Sequence, residues 1–248
     1  MLKGAVFDLG GTLIHLTVTW EQIREARATA IYEALKEQGV ALDLNDLKRE
    51  YVKLHEEESE YAARTLEEIE IRASFNNLFD RLGVEASQRP EIEGLVMRFF
   101  AVEVDSWVVF PGVTEMLQQV RDLGLKMGLL SNARNDWAVR KIMERLGLTR
   151  FFDAILTSAA VGIRKPRPEP FKQMLQLLGN KASDTVMIGN SMEADVAGAK
   201  PLGIKTIRVI FGDSNDEIPM NLGLKIEPDI TVSAVSDIVP TIKRIRDL

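Results

Sequence analysis

The chain has 248 residues, 46% hydrophobic and 27% charged, with a formal net charge of −6. This composition is typical of a globular protein of one or two domains. The acidic balance argues against nucleic acid as a partner, and we expect neither a membrane span nor a signal peptide. The absence of cysteine excludes disulfides and suits a reducing cytoplasm, and two histidines, His15 and His55, are too few for a histidine-rich metal site.

The first thirteen residues, MLKGAVFDLGGTL, contain a short apolar run at residues 5–7 that predicts a buried β-strand. Asp8 ends this strand, and Gly10 and Gly11 then allow a sharp backbone turn. A carboxylate beyond the C-terminal end of a parallel strand lies where open α/β sheets bind their ligands. Asp8 is therefore a candidate nucleophile or cation ligand, with a turn-capping aspartate as the alternative.

Helical periodicity dominates residues 16–105, where we find no convincing strand. Thr19 and Gln22 form a capping box that predicts the start of a first helix. A second helix leads into an acidic run, Thr65 and Glu68 form a capping box that predicts the start of a third, and a fourth helix follows. We therefore predict an all-helical block here.

Further along the chain, strands and helices alternate. The predicted strands lie at residues 126–130, 154–157, 185–188, 205–210 and 230–232. Such alternation predicts a parallel sheet with right-handed crossovers, which the first strand must join because it is too apolar to stand alone. The fold class is thus α/β. A Rossmann-like core is formed by residues 1–15 and 106–248, and the inserted helical cap by residues 16–105.

Polar residues follow several of the predicted parallel strands at the point where each strand ends. Because these ends meet at one edge of the sheet, their side chains are expected to converge on one crevice. A carboxylate, a hydroxyl and an ammonium group in one place form a sensible anion site. The residues concerned are Asp8, Ser131, Asn132, Lys165, Asn190 and Asp195.

With these residues, the chain resembles the haloacid dehalogenase-like superfamily of hydrolases. Four segments carry the resemblance: FDLGGTL, LLSN, GIRKPRPEPF and IGNSMEAD, beginning at residues 7, 129, 162 and 188. The order and spacing of the segments fit the family, and the helical block resembles its inserted helical cap. The resemblance therefore covers the whole chain.

The resemblance implies a magnesium-dependent phosphatase in which Asp8 forms a covalent aspartyl intermediate with a small phosphorylated metabolite, selected by the cap. It implies that Lys165 and Ser131 hold the phosphate, and that Lys165 also restrains the negative charge around Asp8. The implied substrate-binding residues are Thr12, Ser131, Asn132 and Lys165. The implied Mg²⁺ ligands are Asp8, the backbone carbonyl of Gly10, Asn190 and Asp195. We predict neither a named substrate nor an oligomeric state.

Two positions depart from the family pattern. Gly10 stands where phosphatases of the family usually have an aspartate that acts as general acid and base, a role typically worth about 10²–10⁴-fold in rate. Substrates with a weakly basic leaving group, such as an acyl phosphate or a sugar 1-phosphate, are expected to suffer less from this loss. Asn190 replaces a second usual aspartate, so we expect weaker magnesium binding.

Two alternatives remain open at this point. The first is a 2-haloacid dehalogenase, which needs no metal and would use a cap arginine, with Arg24 and Arg27 as candidates. The second is a catalytically silent binding protein on the same fold, since fold alone does not imply function.

Overall fold

The computed structural model describes residues 1–211 and 226–246, so parts of the predicted core range 106–248 lie outside the described residues. Six of the described strands form one parallel sheet in the order β5-β4-β1-β6-β7-β8. The described strands are β1 (Gly4–Phe7), β2 (Ile14–Leu16), β3 (Trp107–Val109), β4 (Lys126–Ser131), β5 (Ala154–Thr157), β6 (Thr185–Gly189), β7 (Lys205–Val209) and β8 (Ile230–Val232).

Helices cover the sheet and form the block between β2 and β3. The described α-helices are α1 (Trp20–Glu37), α2 (Leu44–Thr65), α3 (Ile71–Arg81), α4 (Ile92–Ser106), α5 (Val113–Asp122), α6 (Asp136–Arg145), α7 (Ser158–Val161), α8 (Pro168–Leu178), α9 (Ala197–Ala199) and α10 (Ile238–Arg246). The predicted α/β fold class with a parallel, Rossmann-like sheet is confirmed. Helix α10 was not predicted from the sequence.

Both faces of the sheet are buried. Phe7 points into an apolar cluster with helices α5, α6 and α10, whereas its neighbour Val6 points into a second cluster with helix α8. Strands buried on both faces are apolar at consecutive positions, which explains the continuous run at residues 5–7. Strand β1 lies between β4 and β6, where Gly4 pairs with both Lys126 and Thr185. The residue that follows β1 therefore lies at the centre of the C-terminal edge.

Helices α1 to α4 pack around their own apolar core. Aromatic side chains at its centre stack edge to face, with 5.1 Å between the ring centroids of Phe75 and Phe99. The predicted capping box of Thr19 and Gln22 is present at the start of α1. Within the described part of the chain, no helix is long and apolar enough to cross a membrane.

The predicted start of the third helix at Thr65 and Glu68 is wrong. Thr65 is the last residue of α2, which ends where Leu66 adopts a left-handed conformation with φ 58°, and α3 begins only at Ile71. The intervening segment pairs with the core, because Glu68 N–H donates to the carbonyl of Gly162 at 2.9 Å. Tertiary hydrogen bonds thus override the local capping pattern.

A short antiparallel ribbon, β2 with β3, stands at the two ends of the helical block. Ile14 pairs with Val109, and Leu16 pairs with Trp107. The ribbon was not predicted, because strands of three residues are too short to show alternation. It brings Trp107 next to the loop that follows Asp8.

Candidate active site

Asp8 lies at the C-terminal end of β1, with its backbone N–H bonded to the carbonyl of Ile188 at 2.9 Å. Its carboxylate is buried and has two partners. Oδ1 accepts a hydrogen bond from Lys165 Nζ at 2.7 Å, and Oδ2 accepts one from Thr12 Oγ1 at 3.1 Å. The carboxylate is therefore held in one orientation by a cation on one side and a hydroxyl on the other.

Lys165 lies 157 residues after Asp8 and is also buried, at 3% exposure. Besides Asp8, its Nζ donates to Asp195 Oδ1 at 2.6 Å and to the carbonyl of Leu130 at 2.7 Å. An ammonium has three donors, and these contacts use all of them. The cation is thus fixed between two carboxylates at the edge of the sheet.

Burial and charge act in opposite directions on this group of residues. Burial lowers the pKa of Lys165, but the carboxylates of Asp195 and Asp8 outweigh it, so the pKa of Lys165 is raised. Burial raises the pKa of Asp195 to about 6, against the opposing effect of Lys165. The negative charge of Asp8 also raises it. Lys165 is therefore protonated at neutral pH.

Asn132, predicted as a substrate ligand, is engaged with the backbone of Lys165. Its Oδ1 accepts from Lys165 N–H at 2.8 Å, and its Nδ2 donates to Lys165 carbonyl at 2.9 Å. The structure therefore gives Asn132 a role in positioning Lys165. Ser131 ends β4, and its hydroxyl makes no hydrogen bond within residues 1–211 and 226–246, so it is available to a ligand.

Two of the predicted magnesium ligands meet through Thr12. Its Oγ1 lies 3.1 Å from Asp8 Oδ2 and 3.2 Å from Asn190 Oδ1, and it accepts a hydrogen bond from Asn190 N–H at 3.1 Å. Asp195, a third predicted ligand, instead contacts Lys165 and the N–H of Ser191. No group of three or more acidic or histidine side chains is placed to hold a metal among the described residues.

This donor set still fits magnesium in its chemistry. Mg²⁺ is usually bound through one or two carboxylates, with retained waters and substrate phosphates completing its shell. Asp8 supplies a carboxylate and Asn190 an amide oxygen, and an oxygen of each contacts Thr12 Oγ1. The set carries one negative charge fewer than it would with an aspartate at position 190.

Trp107 is a site residue that the sequence analysis missed. A Cβ atom built on Gly10 would lie 3.2 Å from Cη2 of the Trp107 indole. The ring is packed edge to face against Trp20, with 6.2 Å between centroids. No local sequence signal links residues 10 and 107, because their contact depends on the pairing of β2 with β3.

Two arginines of the core, Arg134 and Arg164, contact the helical block. Arg134 follows the LLSN segment and donates to Glu58 Oε2 at 2.5 Å and to Ser74 Oγ at 2.8 Å. Arg164 precedes Lys165 and donates to Glu68 Oε2 at 2.6 Å. The block is therefore tied to the loop that follows Ser131 and to the loop that carries Lys165.

Arg27, a candidate ligand for a 2-haloacid, is not available to a substrate in this structure. It is 5% exposed, pairs with Glu103, and packs over the rings of Phe99 and Phe100 at 4.8 and 5.0 Å. It forms part of the interior of the helical block. Arg24, the other candidate, is partly exposed.

Comparison with known proteins gives a consistent result. A family model described as haloacid dehalogenase-like hydrolase matches residues 2–203. A glyceraldehyde 3-phosphate phosphatase from Methanopyrus kandleri is 29% identical over 89% of both chains, and one from Methanocaldococcus jannaschii is 26% identical over 99% of both. A phosphoglycolate phosphatase from Pseudomonas syringae pv. syringae is 30% identical over 57% of this chain and 51% of its own.

Solved structures share the fold at lower identity. A HAD phosphatase from Thermococcus onnurineus has a TM-score of 0.63 and 21% identity, covering 97% of this chain and 98% of its own. A 2-haloacid dehalogenase from Pseudomonas syringae pv. Tomato DC3000 has a TM-score of 0.66 and 22% identity, covering 98% and 99%. The architecture is therefore found in proteins of both activities and does not separate them.

Proposed function

Because the chain belongs to the haloacid dehalogenase-like hydrolase family, we propose that it is a phosphatase acting on a small phosphorylated metabolite. The observation that carries this proposal is the contact between the buried Asp8 carboxylate and the Lys165 ammonium at 2.7 Å. A fixed cation beside a carboxylate nucleophile offsets the charge of an incoming phosphate. The names of the relatives, glyceraldehyde 3-phosphate and phosphoglycolate phosphatases, support the same substrate class.

In the proposed reaction, an oxygen of Asp8 attacks phosphorus and the bond from phosphorus to the leaving oxygen breaks. Water then hydrolyses the resulting aspartyl phosphate, which releases phosphate and restores the carboxylate. Oδ2 is the better candidate for the attacking atom, because Oδ1 is paired with Lys165. Thr12 orients the carboxylate through its contact with Oδ2. The free hydroxyl of Ser131 and the charge of Lys165 hold the phosphate, and Asn132 fixes Lys165 through its backbone.

We propose that Mg²⁺ is the cofactor. The ion would be held by Asp8, the backbone carbonyl of Gly10 and the amide oxygen of Asn190. Asp195 is connected to this group by its ion pair with Lys165. When bound, the ion neutralises charge on the phosphate oxygens. The reduced negative charge at Asn190 supports weaker binding than in a site with an aspartate there.

Residues 16–105 form the proposed cap over a core of residues 1–15 and 106–248. The contacts of Arg134 with Glu58 and Ser74 support a cap that rests on the loop after β4. A cap tied to this loop is in a position to select the substrate held by Ser131 and Lys165.

A second candidate function is 2-haloacid dehalogenation. In this reaction Asp8 attacks the carbon that carries the halogen, and no metal is needed. The amide at Asn190 favours it, since a metal-free reaction has no use for a carboxylate there. The burial of Arg27 against Glu103 counts against it, because this removes one of two candidate ligands for the substrate carboxylate. Arg24 remains as the other candidate.

Hydrolysis of p-nitrophenyl phosphate with and without Mg²⁺ tests the proposal, with Asp8→Asn as a near-isosteric control that lacks a nucleophilic carboxylate. Phosphatase function predicts metal-dependent phosphate release that the control loses. Halide release from 2-chloropropionate without phosphate release would establish the dehalogenase instead. If wild type and control are indistinguishable in both assays, and also on acetyl phosphate and glyceraldehyde 3-phosphate, both enzymatic proposals are overturned.

A further inference from the structure

The space beside Gly10 is filled by an aromatic ring. A Cβ atom at this position would lie 3.2 Å from Cη2 and 3.7 Å from Cζ3 of Trp107. The backbone of Trp107 is held by the pairing of β3 with β2, and its ring packs edge to face against Trp20. A side chain at residue 10 would therefore require the indole to shift by at least a few tenths of an ångström. The side of the nucleophile loop next to residue 10 is therefore apolar.

Within residues 1–211 and 226–246, the side chains that hydrogen-bond to the Asp8 carboxylate are Lys165 and Thr12, and their protons are already engaged. Lys165 uses its three N–H groups on Asp8, Asp195 and the carbonyl of Leu130. The single proton of Thr12 lies between two acceptors, Asp8 Oδ2 at 3.1 Å and Asn190 Oδ1 at 3.2 Å. A leaving group that needs protonation would have to break one of these bonds.

Two further titratable groups among the described residues, Asp195 and His15, are also engaged. Asp195 is 1% exposed, and its two oxygens accept from Lys165 and from the N–H of Ser191. His15 follows Gly10 by five residues, but its ring packs on Phe110, with 4.6 Å between ring centroids. It pairs with Val108 and thus points to the face of the ribbon opposite Trp107, since successive side chains alternate in a strand.

We propose that this chain is selective for phosphates whose leaving group is a weak base, and specifically for acyl phosphates, because Trp107 occupies the place of an acid beside Asp8. This inference rests on the proposed phosphatase function. The proposed selectivity differs from the substrate in the names of two relatives, glyceraldehyde 3-phosphate. The leaving group of that substrate is an alkoxide, which is a strong base.

The chemical steps balance without a proton donor in the protein. An oxygen of Asp8 forms a bond to phosphorus, the bond from phosphorus to the acyl oxygen breaks, and its electron pair leaves on a carboxylate. Water then attacks phosphorus, the bond to Asp8 breaks, and its electron pair returns to the Asp8 carboxylate. The proton lost by water passes to solvent. A carboxylate is a weak base, with a pKa of about 4 for its acid, and leaves without protonation.

Comparison of kcat/KM for acetyl phosphate, p-nitrophenyl phosphate and glyceraldehyde 3-phosphate tests this inference, with Asp8→Asn as the blank for spontaneous hydrolysis. We expect kcat/KM to fall in that order, by about 10²–10⁴-fold from first to last, the usual contribution of a general acid. Equal values for acetyl phosphate and glyceraldehyde 3-phosphate would overturn the selectivity but leave the phosphatase function intact. Wild type equal to the blank on all three would overturn the phosphatase function itself.

A pair of double variants tests the role of Trp107. Gly10→Asp with Trp107→Ala provides an acid and the space for it, and Gly10→Asn with Trp107→Ala provides the space alone. We expect the first to raise kcat/KM for glyceraldehyde 3-phosphate by at least about tenfold over the second, with little difference on acetyl phosphate. If Gly10→Asp alone gives the same gain, the indole does not exclude an acid and its assigned role is wrong. The leaving-group dependence of the wild type tests selectivity even if these variants fail to fold.

Discussion

The side chain of Asn132 and the peptide of Lys165 form a closed pair of hydrogen bonds, with N–H to Oδ1 at 2.8 Å and Nδ2 to carbonyl at 2.9 Å. The two residues lie on different loops, after β4 and before α8. An amide is the only common side chain that both donates and accepts in this geometry. Lys165 is thus positioned from its backbone as well as by its ammonium.

Removal of this pair should lower activity. In Asn132→Ala the Lys165 backbone loses both bonds, and we expect kcat to fall by about 10²-fold, the cost of a misplacement of about 1 Å at an active site. Asn132→Asp is the matched control, because it keeps the acceptor for Lys165 N–H but not the donor, so its loss should be smaller. Steady-state kinetics on the best phosphate substrate measure both. Unchanged kcat in the alanine variant would show that the pair does not position Lys165.

The buried cation should also support the fold. In Lys165→Met the buried carboxylates of Asp8 and Asp195 lose the cation between them, and loss of one member of a buried ion pair costs about 3–5 kcal/mol. Lys165→Met combined with Asp195→Leu removes the second charge and should recover part of the free energy of unfolding. Urea denaturation at pH 7 compares the two variants. The electrostatic explanation fails if they are equally unstable.

Substitution at position 190 should change the affinity for magnesium. Asn190→Asp restores a negative charge beside Asp8 and Thr12, so we expect the Mg²⁺ dissociation constant to fall by at least about tenfold. Asn190→Ala removes the proposed ligand oxygen and should raise the Mg²⁺ dissociation constant. Calorimetric titration with Mg²⁺ measures binding independently of turnover. Identical affinity in the wild type and both variants would place the metal away from this residue.

The stability of the protein should depend on pH through His55 in the helical block. Burial, followed by the charges of Arg134, Arg27 and Arg24, lowers the pKa of His55 from 6.5 to about 4. The folded state therefore favours the neutral ring. This contribution to stability is fully present above about pH 6.5 and is lost as the pH falls toward 4. His55 Nδ1 lies 3.2 Å from the Arg134 guanidinium. Protonation of the His55 ring would therefore place two positive charges in contact.

His55→Gln, which stays neutral, is the control for this prediction. Between pH 6.5 and 4 the free energy of unfolding of the wild type should fall more steeply than that of the variant. The difference in slope is at most about 1.4 kcal/mol per pH unit, reduced by the partial exposure of the ring. Denaturant titrations across this range measure both proteins. Parallel pH profiles would contradict the prediction.

The fold class was predictable because its signals are local. Apolar runs, glycine stops and alternation of strands with helices placed the six strands of the parallel sheet within a residue or two, including Ala154–Thr157 at its observed bounds. The order of polar residues after these strands also predicted which side chains share an edge. As a consequence of the parallel topology, hydrogen bonds link five of these side chains: Asp8, Thr12, Lys165, Asn190 and Asp195.

The sequence by itself therefore determined the sheet, the helical insertion and the residues gathered at the sheet edge, because periodicity and strand ends follow from local chemistry. Only the tertiary structure decided that Asn132 holds the Lys165 backbone, that Arg27 is buried, and that α3 begins after Leu66. It also decided that Trp107 covers Gly10. Each of these depends on contacts between segments far apart in the chain, whose geometry is set by packing rather than by the neighbouring residues.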